Sequence, residues 1–433
     1  MPSAETPVPD AAPLYLDSAD AVDRFLSELG QPAALAIDTE GASFHRFVDR
    51  IYLLQLSTEH RHAVIDPLPI GTPERLGRLL QDRKVEVVLH DADYDLRLLR
   101  QDYGWQVNAL FDTRVASQLI GLRAFGLAAL LEQYFGIKLD KKHQRADWSM
   151  RPLSADMLEY AAHDTRWLLD LRTRLRSELE KRGRWHWAQE EFARAEGTQW
   201  TPDETGQAFM KMKGARDLNR RELARLGELV AWRDSIARDI DRATFRVIGN
   251  EVLLELARTS PAAAGELTKV KGFPRSMSES RMAGVLSALQ RGNEVPDADL
   301  PRFPKSVRYD RDPDFDDRVA RLKAVRDAAA ERLELDPGVL CSRDRMETVA
   351  RKMPQSLEAF EEIPELRKWQ VEVLGEGFLK ALKGSKTGKS PASAGGNTGG
   401  NTGGSAGSGK GAVKAAAGSS ARDNDDSPYR TDD

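Results

Sequence analysis

A chain of 433 residues exceeds one ordinary domain, and its 40% hydrophobic and 30% charged residues describe two to four globular units. No apolar run approaches the ~20 residues that a bilayer crossing needs, so no membrane association is expected. A net charge of −4 does not advertise nucleic-acid binding, although clustered acids can mask basic surface elsewhere. The single cysteine, Cys341, cannot form an internal disulfide. The opening residues, Met1 to Asp10, show neither a basic nor an apolar leader segment, and the expected location is cytoplasmic.

Residues 14–90 contain strand-like runs separated by turn and helix signals. Ala33 to Asp38, Ile51 to Leu56, Ala63 to Ile65 and Val85 to Leu89 read as strands, with an amphipathic helix from Pro73 to Leu80. Helical periodicity dominates from Asp93 to Arg182, and Trp185 to Gly206 reads as a connecting segment. Alternating strands and helices predict an α/β core with a mixed sheet. Residues 216–294 are helical, with Leu223, Leu226, Val230, Ala237 and Ile240 spaced to share one face. From Gly214 to Val295 there are 14 Lys/Arg against 11 Asp/Glu. Prolines at 296, 301, 304 and 313 mark a linker, and a second helical block with 13 basic and 15 acidic residues runs from Asp314 to about Lys383. Residues 385–433 carry no Leu, Ile, Phe or Trp and cannot offset their ordering entropy, which predicts a disordered tail.

Four acids and one tyrosine carry the chemistry. Asp38 and Glu40 are two apart, so an extended strand points both to one side. Tyr160 and Asp164 are four apart and stack on one helix face. Asp95 opens the helical run that follows the Val85 to Leu89 strand. Gathering several carboxylates inside a fold is costly unless cations compensate them, and hard ions such as Mg²⁺ select oxygen ligands. Convergence would form a cage for two divalent ions (Mg²⁺ or Mn²⁺) roughly 3.5–4 Å apart, the arrangement used for in-line phosphoryl displacement. Tyr160 would orient the attacking water there.

These residues, in this order, resemble the ribonuclease D family, in the DEDDy branch of 3′→5′ exonucleases. Asp38 and Glu40 match its first motif, Asp95 its second, and Tyr160 with Asp164 its third. Leu54-Gln55-Leu56, His90, Phe111-Asp112-Thr113 and Asp147-Trp148 with Arg151-Pro152-Leu153 agree with the flanking text. The histidine branch carries His five residues before the last aspartate, where this chain has Glu159. Leu223, Ala231-Trp232-Arg233, Pro261, Glu266-Leu267 and Val270 to Gly272 are similar to an HRDC domain. Val325 to Ala330, Pro337 to Leu340 and Arg345 look like a diverged second copy.

The resemblance implies an RNase H-like exonuclease core over 12–210, after a tail over 1–11. Two all-α HRDC-like domains would follow over 214–296 and 313–384, with a linker over 297–312. Asp38 would bridge both metals, Glu40 and Asp164 would help to hold the first, and Asp95 would support the second. Glu40 would also sense the terminal 3′-hydroxyl. The implied activity is a monomeric exoribonuclease that trims structured RNA such as tRNA precursors and releases 5′-monophosphates. A DNA-directed 3′→5′ exonuclease and a non-catalytic RNA-binding scaffold are the rival readings.

The family often has a bulky residue after Asp-x-Glu; here Gly41 stands there, with Phe44 nearby as a substitute. Gln55 and His90 are either substrate contacts or core polar groups. Asp112 reads as a helix cap. His163 points ~100° away from Asp164 around the helix, which favours a structural or substrate-side role. Arg216, Arg220, Arg221 and Arg225 are either phosphate grips or a solvated helix face. The second, more acidic block is expected to be structural.

Overall fold

The computed structural model describes residues 12–140, 142–200, 207–304 and 312–383. The expected tails over 1–11 and 385–433 lie outside the described residues, as do linker residues 305–311. In chain order, β1 (Leu14–Leu16), α1 (Ala19–Leu29), β2 (Ala34–Glu40), β3 (Leu53–Ser57) and β4 (His62–Ile65) come first. Then follow α2 (Pro67–Ile70), α3 (Glu74–Gln81), β5 (Glu86–Leu89), α4 (Asp93–Tyr103) and β6 (Leu110–Asp112). The strands form one mixed sheet ordered β1-β4-β3-β2-β5-β6. β3 is antiparallel to both β2 and β4, and the other three pairings are parallel. Leu35, Ala36 and Ile37 in β2 are fully buried, because this strand lies inside the sheet and is covered on both faces.

Five helices complete this region: α5 (Thr113–Leu119), α6 (Leu127–Phe135), α7 (Ala155–Arg166), α8 (Leu168–Lys181) and α9 (Trp185–Ala195). Helix α7 covers one face of the sheet, where Ala161 and Ala162 pack with Leu53 and Val64. Leu35, Ile37, Leu54 and Leu56 turn to the other face, into the main core with α1, α3 and α8. The stretch after Asp93 was expected to be helical but contains β6, a three-residue edge strand paired with β5. Such a strand is too short to show a period of two. Trp185 to Gly206 was expected to be a connection, yet Trp185–Ala195 is a helix. Its Phe192 packs on Phe111 of β6 with ring centres 5.0 Å apart, and it is that tertiary burial that stabilises it.

The first helical module comprises α10 (Arg220–Asp239), α11 (Thr244–Val247), α12 (Asn250–Thr259), α13 (Ala264–Leu267) and α14 (Glu279–Glu294). A capping box formed by Asn219 and Glu222 starts α10. Leu223, Leu226, Val230 and Ala237 enter the module's own core. Ile240 does not: it follows the last helical residue, and at 39% exposure it faces out. The second module has α15 (Phe315–Leu333), α16 (Pro337–Leu340), α17 (Arg343–Lys352) and α18 (Lys368–Lys383). Among the described residues no helix is long and apolar enough to cross a membrane.

Candidate active site

The pairing of β2 with β3 sets Asp38 directly opposite Gln55. Alternation along β2 sends Asp38 and Glu40 toward α7, one turn of which presents Tyr160 and Asp164. Carboxylate oxygens of Asp38, Glu40 and Asp164 all lie within 4.8 Å of one another. Asp95, on the first turn of α4, reaches β2 from the side. Its Oδ1 accepts hydrogen bonds from the Thr39 amide at 3.0 Å and the Thr39 hydroxyl at 2.6 Å. The intervening residue of Asp-Thr-Glu therefore fastens the second motif to the first, a signal that the sequence contains but spacing does not reveal.

Burial is the main reason why every one of these acids holds its proton more tightly than usual. The neighbour Asp164 adds repulsion at Asp38. Asp38, Asp164 and Asp95 add it at Glu40, and Asp38 adds it at Asp95. Asp164 is pushed up to about 7, by burial first and then by Asp95. The Tyr160 hydroxyl is likewise held above its ordinary value by burial and then by Asp164, Glu40 and Asp38, which places it among the acids. Four acids that repel one another in a half-buried recess form an arrangement that is relieved by protons or, when all are ionised, by bound cations. Gln55 strengthens this reading. It is fully buried beside Asp38, and both ends of its amide lack a partner among the described residues. An orphaned amide there fits a site completed by bound ions and their waters, since buried polar groups are almost always paired. As a substrate contact Gln55 would act through its neighbours, since it is sealed from solvent.

Supporting residues fix this frame. Asp112 caps α5 by accepting from the Arg114 and Val115 amides. It also holds the Asp91 and Ala92 amides at 3.1 and 2.9 Å, fixing the turn that launches α4 and Asp95. Tyr160 is stacked on Trp148 at 6.0 Å and meets the His143 ring edge at 5.7 Å. Arg151 anchors that segment to the sheet through Asp66 at 2.8 Å, the Tyr52 carbonyl at 3.0 Å and the Trp148 carbonyl at 2.7 Å. His90 bonds through Nδ1 to the Thr113 hydroxyl at 2.9 Å, and that hydroxyl donates to the Leu89 carbonyl. Burial, and then Arg114, lowers its pKa to about 3, so it is neutral. His163 pairs with Glu159 at 3.3 Å, in keeping with a structural role.

Gly41 has a direct explanation. A Cβ there would lie 2.2 Å from the Tyr94 hydroxyl and 2.7 Å from Asp49 Oδ1, so the bulky residue's space is already filled. Phe44 sits farther out, edge-on to Phe245 of α11. The expected substrate contacts of the first module divide. Arg220 donates to the carbonyls of Asp297 and Leu300 at 3.0 and 2.9 Å, which ties the start of the linker to α10 and favours the structural reading over a phosphate grip. Arg221 and Arg225 likewise serve the carbonyls of Asn293 and Ala257 at 2.8 and 2.6 Å. Arg216 is exposed and lies over Phe303 at 5.1 Å.

Sequence models of the 3'-5' exonuclease family and of the HRDC domain match residues 14–180 and residues 222–289 and 315–382, respectively. The ribonuclease D of Granulibacter bethesdensis is 31% identical over 375 residues, covering 86% of this chain and 93% of that protein. That of Gluconacetobacter diazotrophicus is 30% identical with the same coverage. Among solved structures, a protein from Bifidobacterium adolescentis superposes with a TM-score of 0.72 at 27% identity, covering 86% of this chain and 98% of that one. Escherichia coli RNase D, described as an exoribonuclease involved in structured RNA processing, shares the fold with a TM-score of 0.65 at 24% identity, covering 86% and 99%. An acid-lined recess on a mixed sheet, followed by two helical modules in the relatives' order and over almost their full length, has one consistent assignment: the chain belongs to the ribonuclease D family of 3′→5′ exoribonucleases.

Proposed function

We propose that this enzyme trims the 3′ ends of structured RNA, tRNA precursors among them, releasing nucleoside 5′-monophosphates with the help of two divalent ions. The observation that carries the reading is the close approach of Asp38, Glu40 and Asp164, with Asp95 fastened alongside by Thr39. Asp38, Glu40 and Asp164 would hold one ion, while Asp38 with the second oxygen of Asp95 would hold the other. Mg²⁺ or Mn²⁺, when bound, lowers the pKa of water and offsets charge on the phosphate and the departing 3′-oxygen. Tyr160, one helical turn from Asp164 and braced by Trp148, would orient the attacking water through its hydroxyl. Its raised pKa keeps that hydroxyl protonated, so it acts as a hydrogen-bond donor and not as a base. Glu40, at the strand end, would accept the terminal 3′-hydroxyl and so select chain ends.

All five residues come from one chain, which favours action as a monomer. The proposed domains are the exonuclease core over 12–210 and HRDC domains over 214–296 and 313–384. The lone Cys341 is buried and unpaired, which accords with a cytoplasmic location. The test incubates the protein with Mg²⁺ and 3′-extended RNA, alongside a DNA strand of the same sequence. Asp38→Asn and Asp164→Asn are expected to lose about a thousandfold or more in rate, since each removes a ligand. Full activity in either variant would contradict the mechanism, and equal cutting of DNA would contradict RNA selectivity.

A further inference from the structure

The loop that leaves β2 after Glu40 does not end at the acid cluster. His45 Nε2 meets the Arg145 carbonyl at 2.9 Å, and Arg46 Nε donates to Ser149 at 2.6 Å. Residues 42–50 are thus joined to the segment whose His143 and Trp148 flank Tyr160. The same loop is clamped to the first module. Phe47 packs against that module's core, its amide donates to Asp241 at 3.3 Å, and the Ala243 amide donates to the His45 carbonyl at 3.2 Å. At this seam Phe44 and Phe245 meet edge to face at 6.2 Å. Arg145 lies over Phe44 at 5.4 Å, while Arg246 lies over Phe245 at 5.9 Å and ties α11 to the loop, its Nε donating to the Phe44 carbonyl at 2.5 Å.

Phe245 is nonetheless 44% exposed, and Val48 and Met150 on the two joined segments are 51% and 56% exposed. Rings that served only to glue the module would be covered, and the clamp around Phe47 already supplies adhesion. A partly exposed aromatic pair beside the exposed Arg145 matches one ligand chemistry well. A base stacks on a ring whatever its identity, while the exposed Arg145 meets the adjoining phosphate. The patch adjoins the segment that carries Trp148 against Tyr160, beside the path of a strand that would leave the acid recess, and that position selects RNA over a folded protein partner.

We propose that Phe44 and Phe245, with Arg145, form a stacking subsite for an unpaired nucleotide of the RNA substrate upstream of its 3′ end, Arg246 serving to hold the two rings together. The first module then contributes to the exonuclease's substrate path through α11, not through the arginines of α10. The proposal rests on the exoribonuclease reading.

The test uses the full chain with EDTA to prevent hydrolysis, and single-stranded oligoribonucleotides carrying 2-aminopurine at each successive position from the 3′ end. Binding is expected to quench the fluorescence at one interior position. Phe245→Ala should abolish that quenching and raise Kd about tenfold, the loss of one stacked base, while Phe245→Tyr should restore both. Arg145→Glu, which leaves α11 untouched, should weaken binding to a similar degree. Unchanged quenching and Kd in Phe245→Ala would overturn the subsite. Wild-type protein that binds and quenches as described yet never hydrolyses RNA with Mg²⁺ would support the subsite and defeat the exonuclease reading instead.

Discussion

The two helical modules share a fold but are attached to the catalytic core in opposite ways. The first keeps a hydrophobic core of its own, entered by one core-domain side chain, Phe47, and it meets the catalytic domain through a polar seam around Arg46 and Asp241. The second has no separate core: Trp369, Phe378 and Leu322 belong to one continuous apolar cluster with Leu35, Phe111 and Leu175. Trp187 of α9 stacks on Trp369 at 4.8 Å, and Arg367 pairs with Glu191 at 3.0 Å. Arg184 donates to the Leu333 carbonyl at 2.6 Å. A shared apolar core makes two elements fold as one unit, whereas a polar seam lets them part locally. The second module is therefore a buttress behind β6, and the first is a separable arm beside the acids.

The difference can be broken at its strongest point first. Trp369→Ala should destabilise the buttress and the catalytic core together by about 3–5 kcal/mol, in one cooperative transition followed by urea denaturation. Loss of the second module alone, with the core intact, would mean that the cluster is not a single unit. Phe47→Ala is the matching test of the arm. The side chain is only partly buried, so a cost of about 2 kcal/mol is expected, appearing as faster hydrogen exchange confined to residues 214–296. Uniform deprotection across the whole chain would erase the distinction.

A smaller effect separates the acid recess from both modules. Burial, and then Asp95, pushes the Asp164 carboxyl up to about 7 in the folded protein, against about 3.8 for an ordinary aspartate. Between those values the folded protein keeps a proton that the unfolded chain has lost, so its contribution to stability falls as pH rises through that window. Metal-free wild-type protein should therefore lose more stability between pH 5 and pH 8 than Asp164→Asn, which should be the more stable by about 1–2 kcal/mol at pH 8. Thermal unfolding in EDTA reads this directly, and parallel pH profiles would show that the acids do not strain the fold.

Much of the recess was legible because period two and period four are local properties: Asp38 with Glu40, and Tyr160 with Asp164, need only their own elements. What brings the elements together was not. Thr39 reads as an ordinary strand threonine until its hydroxyl is seen on Asp95. Helix α9 is held by Phe111 of β6 and by Trp369, and Trp369 lies almost two hundred residues away. The charged face of α10 looked ready for phosphate, but a guanidinium donates equally well to carbonyls, and Arg220 and Arg221 found theirs at the end of α14 and in the linker. Position 41 needs glycine because Tyr94 arrives from α4 to occupy the space, and no reading of neighbours in sequence shows that.

The most direct measurement is a titration of the intact protein with Mn²⁺, followed by electron paramagnetic resonance to count bound ions. About two per chain are expected for wild type, with spin coupling between them at a separation of ~4 Å, and a loss of at least one in Asp38→Asn. An unaltered free-ion signal at saturating protein, or equal binding by wild type and Asp38→Asn, would mean that these acids are not gathered to hold cations.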